Sequence, residues 1–166
     1  CGRQHDRKRL PEPSADVGGR MMHLSPVLAI LLWMDALVPK APWRSTFVET
    51  AQAIDDACES DMRCAAVLTA IGYHESRFNP EAVGDNGQSV GVWQLSRSWR
   101  PEASVGGHAR VARGLVSRSF RICSTAPLEE RLNWFAAGGV GCRSERGAKA
   151  SRTRWYLAKQ LLRSAP

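Results

Sequence analysis

The stretch GYHESRFNPEAVGDNGQSVGVWQ, residues 72–94, decides the fold. It begins on the end of one helical pattern and runs into a cluster of turn formers. Cys64, Leu68, Ile71, Glu75 and Phe78 follow the i, i+4, i+7, i+11, i+14 spacing of a single helix face. The spacing predicts a helix over about 62–77, with Asp61 as its N-cap and Asn79-Pro80 as its stop. Glu75 is the one acid on that apolar stripe. A carboxyl group held against apolar neighbours keeps its proton more readily, and an acid still protonated near neutral pH can donate to a leaving group. The competing reading puts Glu75 at the edge of the stripe, reaching solvent. After the stop, Gly84-Asp85-Asn86-Gly87 predicts a tight turn and short β structure over about 82–92.

Working outward, Phe47, Ala51, Ile54 and Cys58 predict a preceding helix over about 45–58. Residues 93–99 are expected to restart a helix, and 100–120, with Gly106-Gly107, to be looser. Pro127, with Glu129 and Glu130 behind it, predicts a helix running to Ala137 and ending at Gly138-Gly139. Trp155, Ala158, Leu161 and Leu162 share one face of a last helix, about 148–163. The fold class is α+β, mainly α-helical, with a small β-hairpin next to the helix that carries Glu75. The domain is expected to span 41–166. Residues 1–40 read as a polar leader followed by a short apolar segment. That segment, Pro26 to Met34, is too short to cross a bilayer, so no integral membrane span is expected. It reads either as a linker or targeting remnant or as a short packed helix.

Composition narrows the partners. With 43% hydrophobic and 23% charged residues, the 166-residue chain can build a core. The net charge of +7 suits polyanions, an anionic cell wall among them. No zinc-finger, RRM or homeodomain pattern accompanies the charge, so nucleic acid is not expected as a partner. The basic runs Arg3–Arg9 and Arg143–Arg163 read as a solvated tail and a solvated helix face. Cys58, Cys64, Cys123 and Cys142 allow three pairings; local pairing, 58 with 64 and 123 with 142, is preferred and implies an oxidising compartment. The alternative is four free thiols in a cytosolic protein. Cys1 is a candidate for a lipid anchor. His74-Glu75 opens like a zinc-protease HExxH, but Phe78 stands where the second His belongs, and no metal site is expected.

Glu75, Ser76, Phe78, Asn79, Pro80, Gly84, Gly87, Gly91 and Gln94, in that register, resemble the signature of the soluble lytic transglycosylase family of the lysozyme-like superfamily. The resemblance implies a lysozyme-like fold and a peptidoglycan substrate, met outside the cytoplasm (periplasmic or extracellular) by a monomer without cofactor. It implies cleavage of the β-1,4 bond between N-acetylmuramic acid and N-acetylglucosamine. One Glu acts first as acid and then as base, and the product is a 1,6-anhydro sugar. Glu75 matches that catalytic residue. Ser76, Gly91, Trp93, Gln94 and Trp134 are the substrate-binding candidates.

Each candidate has a plainer reading. Ser76 can be a helix-end hydroxyl bonding backbone, Gln94 a surface amide, and Trp93 a core residue. Asp85 fits turn chemistry; as a second carboxylate placing a water it would make the enzyme a hydrolytic lysozyme. The family also carries a later Ala-Tyr-Asn-x-Gly motif, and Phe135 and Ala136 stand here where Tyr and Asn are usual. Phe has no hydroxyl to hold the catalytic carboxyl. Either Trp134, Asn133 or Tyr156 takes over the orienting role, or the site is tuned differently. The same two departures motivate a second reading, a non-catalytic wall-binding component of a secretion, conjugation or phage apparatus.

Overall fold

The computed structural model describes residues 24–99 and 102–164. Cys1, the polar leader and Arg3–Arg9 lie outside the described residues. The described residues form six α-helices and one three-stranded antiparallel sheet. They are α1 (Pro26–Leu37), α2 (Phe47–Cys58), α3 (Met62–Ser76), α4 (Val105–Ile122), α5 (Asn133–Ala136) and α6 (Glu145–Ser164). The sheet strands are β1 (Val83–Gly84), β2 (Ser89–Val90) and β3 (Leu95–Ser96).

α3 is the axis of the molecule. Its N-cap is Asp61, whose carboxylate accepts from the Arg63 and Cys64 amides at 2.8 and 3.4 Å. Every residue from Ala65 to Gly72 is buried, so α3 is packed on all sides rather than on one stripe. It ends two residues before Phe78. Arg77 and Phe78 both adopt the left-handed conformation, at φ 57 and 64°, and fold the chain back over the helix. Phe78 reaches the stripe by this return, and its ring is fully buried beside Gly72, where an added Cβ would lie 3.2 Å from it.

The apolar segment follows the packed-helix reading: it forms α1 and buries Ile30, Trp33 and Met34 in the same core as α2 and α3. Three other expectations change. Residues 93–99 do not restart an α-helix; a turn leads into β3 and then a short 3-10 turn, Arg97–Trp99, so the hairpin becomes a third-strand meander. The supposedly looser stretch 100–120 holds the 18-residue helix α4, started by Ser104, whose hydroxyl accepts from the Gly107 amide. Its inward side sets the small buried residues Gly107, Ala109, Ala112 and Ser119 beside Val105, Val111, Leu115, Val116 and Phe120, which pack against the core at helical spacing. The helix expected from Pro127 is broken into a 3-10 turn, Leu128–Glu130, and the short α5.

The two local disulfides are present, Cys58–Cys64 and Cys123–Cys142. The first ties the end of α2 to the start of α3; the second ties the end of α4 to the loop before α6. Among the described residues, no helix is long and apolar enough to cross a membrane.

Candidate active site

Glu75 is the penultimate residue of α3, where the helix emerges from the core. It opens into a cleft of about 490 Å³. The sheet and its turn form one wall, through Asp85, Gln88 and Gln94; Phe135 and Ala136 at the end of α5 and Arg146 and Arg154 on α6 form the other. The side chain of Glu75 is 23% exposed and is not walled by apolar groups alone. Its Oε1 accepts from a guanidinium NH2 group of Arg154, and the two form an ion pair. Arg154 is itself buried, at 9% exposure, and its Nε finds no acceptor among the described residues. The purely apolar setting expected for Glu75 is therefore corrected: an arginine shares it.

Arg154 arrives because α6 packs closely along α3 and α5. Gly147 lets the start of α6 meet α5, since a Cβ there would lie 2.2 Å from Asn133 Oδ1. Two buried serines fix the α5 segment. Ser119 Oγ donates to the Arg131 carbonyl and accepts from the Phe135 amide, at 2.8 and 3.1 Å. Ser151 Oγ donates to the Glu129 carbonyl and accepts from the Leu132 amide, at 2.7 and 3.0 Å. These bonds hold Phe135 at the cleft wall.

The structure brings together some of the candidates and not others. Glu75, Gln94 and Trp93 border the cleft. Gln94, at φ 45°, donates through Nε2 to the Ala82 and Gly91 carbonyls at 3.1 and 3.0 Å, so the amide braces the turn while its residue lines the site. Trp93 is 1% exposed and donates to the Leu68 carbonyl at 3.0 Å; it is a core residue beneath the cleft, with no free face to stack on a sugar. Ser76 is not in the cleft wall; its hydroxyl donates to the Val92 carbonyl at 2.8 Å and locks the end of α3 to the turn between β2 and β3. Gly91, at φ 76°, faces His108, whose Nδ1 would be 2.4 Å from a Cβ there. Trp134 lies outside the cleft lining, its ring under the Arg118 guanidinium at 5.0 Å.

None of the three residues expected to replace the family tyrosine does so. Asn133 Nδ2 donates to the Cys142 and Ser144 carbonyls, Tyr156 is 64% exposed, and Trp134 is engaged as just described. Arg154 was missed. It lies inside the basic run read as a solvated face, and the one available signal was its place on the apolar side of that run, four residues before Ala158. Asp85 borders the cleft, and its Oδ2 accepts from Ser89 Oγ at 2.6 Å, the local bonding of a turn aspartate. Beside the acid, His74 has its pKa lowered by burial first, then by the positive charges of Arg154 and Arg77.

Fold and cleft together define a lysozyme-like α+β domain, with a carboxylate at the end of a buried central helix facing a small sheet. Residues 52–107 match the family model described as the transglycosylase SLT domain. The matched run holds Glu75, the sheet and Gln94; Phe135, Ala136, Arg146 and Arg154 enter the site from beyond it. No curated protein and no solved structure matches the chain.

Proposed function

We propose that the domain cleaves the β-1,4 bond between N-acetylmuramic acid and N-acetylglucosamine in peptidoglycan, as a lytic transglycosylase. The observation that carries this reading is Glu75, opening into the cleft from the end of α3 within the SLT run. In the first step the protonated Glu75 carboxyl gives its proton to the glycosidic oxygen as the C1–O bond breaks. In the second the Glu75 carboxylate takes the proton of the muramoyl C6 hydroxyl as that oxygen closes on C1, leaving a 1,6-anhydro ring and restoring the acid. Arg154 orients the carboxyl in place of a tyrosine hydroxyl and stabilises the carboxylate between the two steps. No water is consumed, so no second carboxylate is needed. The engagement of Asp85 by Ser89 supports this single-carboxylate route over hydrolysis.

The reaction belongs outside the cytoplasm, where peptidoglycan lies, and the two disulfides suit an oxidising compartment. The test is mass spectrometry of muropeptides released from purified sacculi. An anhydro end, lighter by one water than a reducing end, is expected from the wild type and is absent with Glu75→Gln. Reducing ends, lost with Asp85→Asn, would make the protein a lysozyme instead. The missing hydroxyl at Phe135 favours one further reading, a wall-binding component without catalysis; co-sedimentation with sacculi and no release would establish it.

A further inference from the structure

A second cavity, of about 310 Å³, lies against the first. His74 at the end of α3 forms one side, and α6 forms the other through Arg146, Lys149, Ala150, Thr153 and Arg154. Those five residues occupy i, i+3, i+4, i+7 and i+8, one face of the helix. Arg146, Ala150 and Arg154 line both cavities, so the two share a wall. The charge of this side cavity is one-sided: its lining includes no carboxylate. Arg154 is matched by Glu75 across the shared wall, but neither Arg146 nor Lys149 takes part in an ion pair among the described residues. Like charges three residues apart on a helix repel, and here they converge on a concave surface beside a candidate reaction centre. The Arg146 guanidinium and the Lys149 ammonium together form a donor set that recognises a carboxylate, while the Thr153 hydroxyl donates to the Lys149 carbonyl at 3.1 Å.

Because the wall between the two cavities is common to both, a ligand in the cleft passes close enough to place an anionic group of its own in the side cavity. On the reading of the cleft as a peptidoglycan site, on which this inference rests, the bound strand carries such a group: the muramoyl sugar bears a lactyl-linked peptide with free carboxylates. We infer that the His74–Arg146–Lys149 cavity is a subsite for a carboxylate of the stem peptide, and that the protein prefers peptide-bearing strands to bare glycan.

The experiment uses the full chain and two substrates, peptidoglycan strands with their stem peptides and the same strands after the peptides have been removed by an amidase. Initial rates of anhydro-end formation give KM and kcat for each. Lys149 borders only the side cavity, and its exposed side chain makes Lys149→Glu compatible with folding, which circular dichroism checks. The expected result is a KM on peptide-bearing strands that rises about tenfold in Lys149→Glu, with kcat kept and KM on stripped strands unchanged. The wild-type preference should also shrink as salt is raised from 0.05 to about 0.5 M. Equal KM on both substrates in the wild type, unmoved by Lys149→Glu, would overturn the subsite and leave the cleavage reading standing. A KM rise of the same size on both strands would assign the cations to the glycan or to a wall phosphate and also overturn it. Failure of the wild type to cleave either substrate would overturn both readings.

Discussion

Removing the Arg154 guanidinium tests the site at its least expected point. In Arg154→Met the apolar stem of the side chain is kept and the charge is lost, so Glu75 remains in the cleft without its partner. Exposed ion pairs contribute about 0.2–1 kcal/mol, and breaking a fully buried one costs about 3–5 kcal/mol. This pair lies between those limits, with side-chain exposures of 11% for Arg154 and 23% for Glu75. A loss of about 2 kcal/mol follows, which for a domain of this size lowers Tm by roughly 4–8 °C. Glu75→Gln should lose stability too, because it leaves a buried guanidinium facing an amide. The double variant should lose less than the sum of the two, with a coupling energy of about 1–2 kcal/mol. Thermal unfolding of the four proteins measures the cycle. Turnover adds the functional half: a carboxyl free to move by about 1 Å should cost roughly 100-fold in kcat, and Arg154→Lys, which keeps the charge without the planar fork, should fall between. A coupling energy near zero, or wild-type turnover in Arg154→Met, would refute the assignment of Arg154 as the residue that holds the acid.

Lowering the pH should weaken the fold. His74 and His108 both have folded pKa values below the ordinary value near 6.5, in each case with burial as the leading cause. The unfolded chain then binds their protons more readily, so the stability they contribute is complete above that ordinary value and is lost as pH falls toward the folded pKa. Tm should drop between pH 7.5 and 5.5, and His108→Gln should reduce the drop; an equal drop in that variant removes His108 from the account. Gly91→Ala forces a left-handed alanine at φ 76° into the His108 ring and should cost at least about 1–2 kcal/mol in denaturant unfolding; an unchanged midpoint would mean that the ring moves freely. Replacing Cys123 and Cys142 together by Ser opens a loop with a sequence separation of 19 and should cost about 3 kcal/mol by the chain-entropy estimate. A Tm unaffected by that change would show that the serine-pinned α5 segment needs no covalent tie.

The legible parts of this fold are those encoded by neighbours in sequence. Asp61 capping α3, the Asn79-Pro80 stop and the glycine-rich turn each act over a few residues, and each stands where its local chemistry placed it. α4 was misread because Gly106-Gly107 at its start reads as loop, although Val105, Ala109, Ala112, Val116 and Phe120 keep helical spacing along it. The acid was legible because a carboxylate interrupts an apolar stripe. Its partner was not, because 79 positions separate Arg154 from Glu75 and the contact depends on how closely α6 packs against α3. Ser76 and Trp93 show the converse. Their positions in the motif suggested sugar contacts, but burial and the carbonyls of Val92 and Leu68 claim their polar groups. A motif records which residues are needed near a site without separating those that touch substrate from those that hold the backbone.

Backbone strain gathers around this cleft. Of the non-glycine residues with positive φ, Arg77 and Phe78 follow Glu75 by two and three positions, and Asp85, Asn86 and Gln94 belong to the turns that face it. Each costs about 1–2 kcal/mol relative to an ordinary conformation, and the orphaned Arg154 Nε adds an unsatisfied donor. A chain selected for stability alone would place glycine at such turns and an apolar residue at 154. The costs are kept where they aim a carboxylate: the left-handed pair ends α3 one residue beyond Glu75, and Gln94 turns inward to brace the turn that faces it. The ion pair must return more than the unpaired Nε costs for the arginine to persist in a buried position, which is why its removal should be felt in stability and turnover together.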